Sequence, residues 1–236
     1  MTNRVLVPAG SLQDGATIEL EDAELHHLRV RRLGVDDDVI VLDGAGSSAQ
    51  GSIRSLGHEW RVAIGAVHRA PVPATTVLAV GAGDKDRFLL LAERCTEMGM
   101  THLVPIDTER SRAVDTRVRA SGLERVRRRA REACKQSGSP WATVVEENGE
   151  LADLPVRHPE VRWLLGEHAG GRCPQLQPDA AVGWIIGPEG GLTSGELEYC
   201  RVTLKAEPVG FGPAVLRFDT AAIAAGVITQ DRRRAG

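Results

Sequence analysis

The chain has 236 residues, 42% of them hydrophobic, and a formal net charge of −3 at pH 7. That length and apolar content allow one large or two small globular domains with a real core. No apolar run approaches the roughly 20 residues of a membrane span, and Met1 to Pro8 holds no signal-peptide core, so a cytoplasmic protein is expected. The four cysteines, Cys95, Cys134, Cys173 and Cys200, are scattered without a CxxC pair. Neither a zinc site nor a disulfide framework is therefore expected, and neither metal nor membrane is among the expected partners.

Thr17–Leu20 alternates as a short strand, and Asp22 is placed to cap a helix from Glu24 to Leu33. Val39–Leu42 is a strand, Asp43–Gly46 a turn, and Ser52–Arg54 and Trp60–Ile64 continue the strand pattern. Several short strands with one helix predict a small β-barrel domain over residues 1–70. Pro71-Val72-Pro73 reads as a stiff linker.

Over residues 74–236 strands alternate with helices. Thr75–Val80 is a strand, and Asp86–Met98 a helix with an apolar stripe of Phe88, Leu89, Leu91, Ala92 and Cys95, stopped by Gly99. Leu103–Ile106 is a strand and Arg119–Gln136 a long basic helix. Arg162–Leu165 and Trp184–Ile186 are buried strands, and Thr220–Gln230 closes the chain as a helix. The alternation predicts a mostly parallel α/β sheet.

Charge is unevenly spread. Arg110 to Lys135 holds nine Arg and one Lys against Asp115, Glu124 and Glu132. In an acidic chain this is a footprint for RNA or another polyanion. The plainer reading is a solvated helix face with ion pairs, and Glu124 does precede Arg128 by one helical turn.

Two loops carry the chemistry. In Ile186-Gly187-Pro188-Glu189-Gly190-Gly191-Leu192, bare backbone follows a strand, and Thr193 and Glu196 have capping-box spacing for the next helix. A strand-loop-helix of this kind is either a ligand site of an α/β protein or a tight structural turn. Further on, Val209-Gly210-Phe211-Gly212-Pro213-Ala214-Val215-Leu216-Arg217-Phe218-Asp219 again joins a strand to a helix. Two such loops at neighbouring strand ends can enclose one ligand. Asp219 or Thr220 as a plain N-cap, and Arg217 in a structural salt bridge, are the ordinary alternatives.

Taken together and in this order, Ile186-Gly187-Pro188-Glu189-Gly190-Gly191 and Gly212-Pro213-Ala214-Val215-Leu216-Arg217 resemble the RsmE family of SPOUT-class methyltransferases. Lys85-Asp86-Arg87, Thr96 to Met100, Glu109-Arg110-Ser111 and Ala133 to Ser137 are similar to further family stretches, and His27 to Arg32 with Asp43-Gly44 to its N-terminal signature. Lys135 stands where the family usually has Glu, Ser139 near a common Arg, Ala214 for a frequent Arg and Asp219 for a frequent Glu.

The resemblance implies a trefoil-knotted α/β methyltransferase domain over 74–236 and a PUA-like β-barrel RNA-binding domain over 1–70. It implies methylation of N3 of a uridine in 16S ribosomal RNA with S-adenosylmethionine (SAM). The rRNA or the small subunit would be the partner, and the enzyme a homodimer through its knot helices. SAM would lie against Leu165, Gly166, Ile186, Gly187, Pro188, Glu189, Gly190, Phe211, Gly212, Pro213, Val215 and Leu216. Arg217 would stabilise the deprotonated uridine, with Glu189 or Asp219 accepting its proton. RNA would be held by Arg29, Arg31 and Arg32, and by Lys85, Arg87, Arg110, Arg112, Arg125, Arg128 and Arg129. Aromatics are 3% of the chain, so shape and phosphate contacts should outweigh stacking. The alternatives are a knotted methyltransferase with another RNA target and a non-catalytic RNA-binding ribosome-assembly factor.

Overall fold

The computed structural model describes residues 3–56 and 59–234, with the side chains of Leu56 and Glu59 set aside. Residues 1, 2, 235 and 236, at the ends of the two expected domains, lie outside the described residues. The chain forms two compact units, Met1–Val72 with Arg131–Ala142, and Pro73–Ala130 with Thr143–Gly236.

The first unit contains β1 (Arg4–Leu6), β2 (Thr17–Glu19), α1 (Asp22–Val30), β3 (Asp38–Leu42), β4 (Ser47–Leu56) and β5 (Glu59–Arg69). They form one five-stranded sheet in the order β1-β3-β4-β5-β2. Val5, Leu28, Val41, Ile53 and Val62 make its fully buried core. The helix begins after Glu21, not at an Asp22 cap, and ends at Val30. Arg32 follows with a left-handed φ of 59°, a conformation that does not continue a right-handed helix.

Two departures from the family pattern have structural employment here. Lys135 pairs with the nearly buried Glu24, whose other carboxylate oxygen accepts from the backbone N–H of Leu6 at 3.3 Å. Removing Lys135 would leave a buried carboxylate without its counter-charge. Ser139 holds the turn before Trp141, donating through Oγ to the Trp141 carbonyl at 2.7 Å.

The second unit runs β6 (Thr76–Gly81), α2 (Lys85–Glu97), β7 (His102–Ile106), α3 (Leu123–Ser137), β8 (Val144–Val145), α4 (Leu154–Arg157), β9 (Arg162–Gly171), β10 (Val182–Ile186), α5 (Ser194–Glu198), β11 (Glu207–Val209) and α6 (Phe218–Arg234). From Arg131 onward α3 belongs to the first unit. The six strands are all parallel, in the order β11-β9-β10-β6-β7-β8. Both sheet faces are covered, so β6 and β10 are buried at every position. Leu78, Val80, Leu164, Trp184 and Ile186 meet α2 and α6 on one face, while Val77, Ala79, Trp163, Leu165 and Ile185 pack on the other. The alternation follows from the period of two along a strand.

Local chemistry sets the helix boundaries. Asp84 caps α2 by accepting from the N–H groups of Asp86 and Arg87, and Gly99, at φ 72°, ends it. The predicted capping box of Thr193 and Glu196 is present. A short 3-10 turn at Ala120–Gly122 delays α3 to Leu123, so the expected start at Arg119 is four residues early. The last helix starts at Phe218 and extends to Arg234. Asp219 therefore lies inside its first turn and is not its N-cap.

Candidate active site

The loops after β10 and β11 and the end of β9 open at the same edge of the parallel sheet. Between them lies a cavity of about 470 Å³. Its wall is Gly166 to Ala169, Ile186 to Leu192, Leu197, Phe211, Ala214 to Leu216, Phe218 and Ala221. Ligand sites of open α/β sheets lie at such strand ends.

The 187–192 loop is anchored on every side. Gly191, at φ 72°, closes a turn by donating to the Pro188 carbonyl at 2.8 Å. A side chain on Gly81 would collide with Pro188, and one on Gly83 with the Glu189 carboxylate and Phe218, so the end of β6 must be bare for the loop to pass over it. Arg110 donates to the carbonyls of Gly190 and Leu192, and Glu109 N–H to Glu196 Oε1 at 2.8 Å. At the opposite wall a Cβ on Gly166 would lie 2.5 Å from Ile186 and 2.9 Å from Phe211. Phe211 in turn packs on Trp184 with ring centroids 5.4 Å apart.

Glu189 lines the cavity, and its Oε1 accepts from the Asp84 N–H at 3.0 Å. Hydrogen bonds from the Thr116 hydroxyl and from Arg87 N–H lower the pKa of the Asp84 carboxyl. Arg217 is exposed and is not itself part of the wall, although Leu216 and Phe218 on either side of it are, and its guanidinium makes no ion pair among the described residues, unlike the structural salt bridge the sequence allows. Asp219 is buried, its Oδ2 accepts from Arg87 at 3.1 Å, and its Oδ1 is buried without a hydrogen-bond partner. The cavity wall contains its neighbours Phe218 and Ala221 but not Asp219.

Of the other residues expected at the cofactor, Gly166, Ile186, Gly187, Pro188, Gly190, Phe211, Val215 and Leu216 line the cavity. Leu165 is fully buried in the core on the other sheet face. Gly212 and Pro213 are exposed beside the wall, and the Pro213 carbonyl lies 2.9 Å from His168 Nε2. Glu167, His168, Ala169, Gly191, Leu192, Leu197, Phe218 and Ala221 also line it and are not among the residues expected from sequence. The sequence pattern ends this strand at Leu165, whereas β9 continues through Gly166 to Gly171 and so carries Glu167 and His168 along the wall.

Many expected RNA-binding residues already have partners inside the fold. Arg87 faces Asp219, Arg112 faces Glu150 at 2.7 Å, Arg129 faces Glu93, and Arg110 holds the loop. Lys85 and Arg125 line a second, smaller cavity, and Arg128 is engaged. In the first unit Arg29 lies over the Trp60 ring at 5.8 Å, Arg31 is engaged, and Arg32 is exposed. Among the described residues no group of three or more His, Cys, Asp or Glu is arranged to hold a metal ion. Nor, among the described residues, is any helix long and apolar enough to cross a membrane.

Residues 68–230 match the model of an RNA methyltransferase domain and residues 20–63 that of an RNA methyltransferase PUA domain. A ribosomal RNA small subunit methyltransferase E from Synechocystis sp. is 31% identical over 87% of this chain and 70% of its own length. This chain belongs to the ribosomal RNA small subunit methyltransferase E family. The family's fold extends over the whole molecule. A member from Neisseria gonorrhoeae, crystallised bound to S-adenosyl methionine, is 25% identical, covers 98% of each chain and superposes with a TM-score of 0.82. A methyltransferase from Legionella pneumophila in complex with its bound cofactor SAM gives 25% identity, 98% coverage of each chain and a TM-score of 0.84.

Proposed function

We propose that the protein is a SAM-dependent methyltransferase acting on N3 of a uridine in 16S ribosomal RNA, working in the cytoplasm as a homodimer. Residues 74–236 form the SPOUT domain with its trefoil knot, and 1–70 a PUA-like RNA-binding domain. The observation that carries this reading is one cavity walled by residues of both Gly-Pro loops, with Glu189 in its wall and the exposed Arg217 next in sequence to the wall residues Leu216 and Phe218.

The wall fits SAM. Gly166 lets Ile186 and Phe211 pack close together, these two with Leu216 give an apolar surface for an adenine, and the loop backbone supplies fixed polar groups. When bound, SAM supplies an electrophilic methyl group.

The protein's own task is the proton. Uridine N3 carries one and is a poor nucleophile until it leaves. Glu189 suits the role of acceptor, because Oε1 is fixed by Asp84 N–H and Oε2 remains for the substrate. Asp219 lies outside the cavity wall and is committed to Arg87, which makes it a positioning residue. Arg217, held by no carboxylate, can turn to the uridine oxygens and stabilise the anion formed when N3 loses its proton. The loops are preset by Arg110 and the capping box, so positioning supplies much of the rate.

Two assays test the reading: calorimetric titration with SAM, and transfer of labelled methyl to 16S RNA. Binding with transfer is expected. Absence of both would favour the non-catalytic assembly factor, and SAM binding without transfer would point to another RNA.

A further inference from the structure

Most cations of the second unit are engaged with its own groups. Arg87, Arg112 and Arg129 face carboxylates, Arg127 faces both Glu124 and Glu147, and Arg110 holds loop carbonyls. Lys85, Arg119 and Arg125 form no ion pair among the described residues, and all three line one cavity of about 290 Å³. That cavity lies between the start of α2, the 115–122 segment and the first turn of α3. Ser121 contributes a hydroxyl, and Asp115 is the carboxylate in its wall. Arg117, also in the wall, is held by donating to the Arg112 carbonyl at 2.7 Å.

The cavity is tied to the proposed active site. Thr116 Oγ1 donates to Asp84 Oδ2 at 2.7 Å, Lys85 N–H to the Thr116 carbonyl at 2.9 Å, and Val118 N–H to the Gly83 carbonyl at 3.0 Å. Asp84 N–H in turn donates to Glu189 Oε1. A group bound among Lys85, Arg119 and Arg125 is thereby held in a fixed relation to Glu189, through a single residue. Three cations without ion pairs in the wall of one concavity, against the single carboxylate of Asp115, are matched by an anion with several acceptor oxygens.

Resting on the RNA methyltransferase reading, we propose that this cavity binds a phosphodiester of the substrate RNA next to the target uridine and so sets the register in which that base enters the active site. Phosphate contacts position a nucleic acid without reading its sequence, which fits a pocket without aromatic side chains.

Filter binding of a single-stranded 16S RNA fragment over a series of KCl concentrations tests this, with SAM affinity measured alongside by calorimetry. Each lost phosphate contact lowers the slope of log affinity against log salt by about 0.7 on single strands. The R119Q/R125Q variant should bind roughly fivefold more weakly at about 0.1 M salt, with a slope lower by about 0.7, the share of one phosphate. R119K/R125K should keep the slope. R157Q/R162Q, which removes the same charge from arginines already paired with Glu146 and Glu207, should move neither quantity. SAM affinity should not change. An unchanged slope in R119Q/R125Q, or an equal loss in R157Q/R162Q, overturns the proposal, the latter because diffuse charge would then suffice. If the double variant loses SAM binding, Arg119→Gln and Arg125→Gln singly carry the same readout. Competition by inorganic phosphate that is undiminished in R119Q/R125Q also counts against the site. A wild-type protein that binds RNA steeply but transfers no methyl would remove the enzymatic reading and leave this pocket standing.

Discussion

At the scale of single residues Glu189 and Asp219, interchangeable as proton acceptors in the sequence, differ in the structure: Glu189 lines the cavity and Asp219 faces Arg87. Arg217 should act on the transition state. Arg217→Ala is expected to lower methyl transfer by about 10²–10³ with SAM affinity retained; an unchanged rate would remove Arg217 from the chemistry. Glu189→Gln should lower kcat by at least 10² if the carboxylate accepts the proton. Asp219→Asn should cost less, because Asp219 acts through Arg87. A larger loss in Asp219→Asn than in Glu189→Gln would exchange their roles. Much of this site was legible beforehand, since the glycines, Pro188 and Glu189 sit in two loops whose spacing is characteristic. The commitment of Arg87 to Asp219, and of Arg110 to the loop carbonyls, was not. Those pairs join residues 132 and 80 positions apart, and no local pattern encodes such contacts.

At the scale of elements, the helix starts are the sensitive joints. Asp84 caps α2 and also presents its N–H to Glu189. Asp84→Ala keeps that backbone N–H but removes the carboxylate that fixes it through Thr116 and the Asp86 and Arg87 N–H groups, so it should destabilise by about 1 kcal/mol and also slow methyl transfer, whereas Thr193→Ala should cost a similar amount through the lost capping box of α5 alone. Chemical denaturation with parallel rate measurements distinguishes them. Strands buried on both faces, such as β6 and β10, were readable as continuous apolar runs. β1 and β8 were not, because three and two residues acquire strand character only from distant partners, β3 and β7. The late start of α3 also escaped, because Ala120-Ser121-Gly122 forms a 3-10 turn where basic periodicity had suggested a helix. The thiols report on the same packing. All four cysteines are buried, and burial pushes Cys134 up to about 11 and Cys200 up to about 12. Alkylation at pH 8 should be negligible in the native protein and reach all four thiols in guanidinium; rapid native labelling would contradict this packing.

At the scale of the whole molecule, stability should depend on pH through two histidines. Burial lowers the pKa of His102 below the usual 6.5, only partly opposed by Glu146, and burial likewise lowers that of His27. The unfolded chain then takes up protons near pH 6.5 that the native state still refuses. Stability is full above that value and declines as pH falls below it toward the native pKa. Tm should drop between pH 7 and 5.5, and His102→Asn should flatten part of that slope; an identical slope would show that other groups govern it. The proposed homodimer predicts twice the chain mass by light scattering at micromolar concentration, and a monomer there would contradict it.

The most direct measurement is to incubate the protein with labelled SAM and either unmethylated small ribosomal subunits or free 16S RNA, and to identify the modified nucleoside by mass spectrometry. N3-methyluridine is the predicted product. Methyl transfer to a different nucleoside, or no transfer to either substrate, would contradict the account.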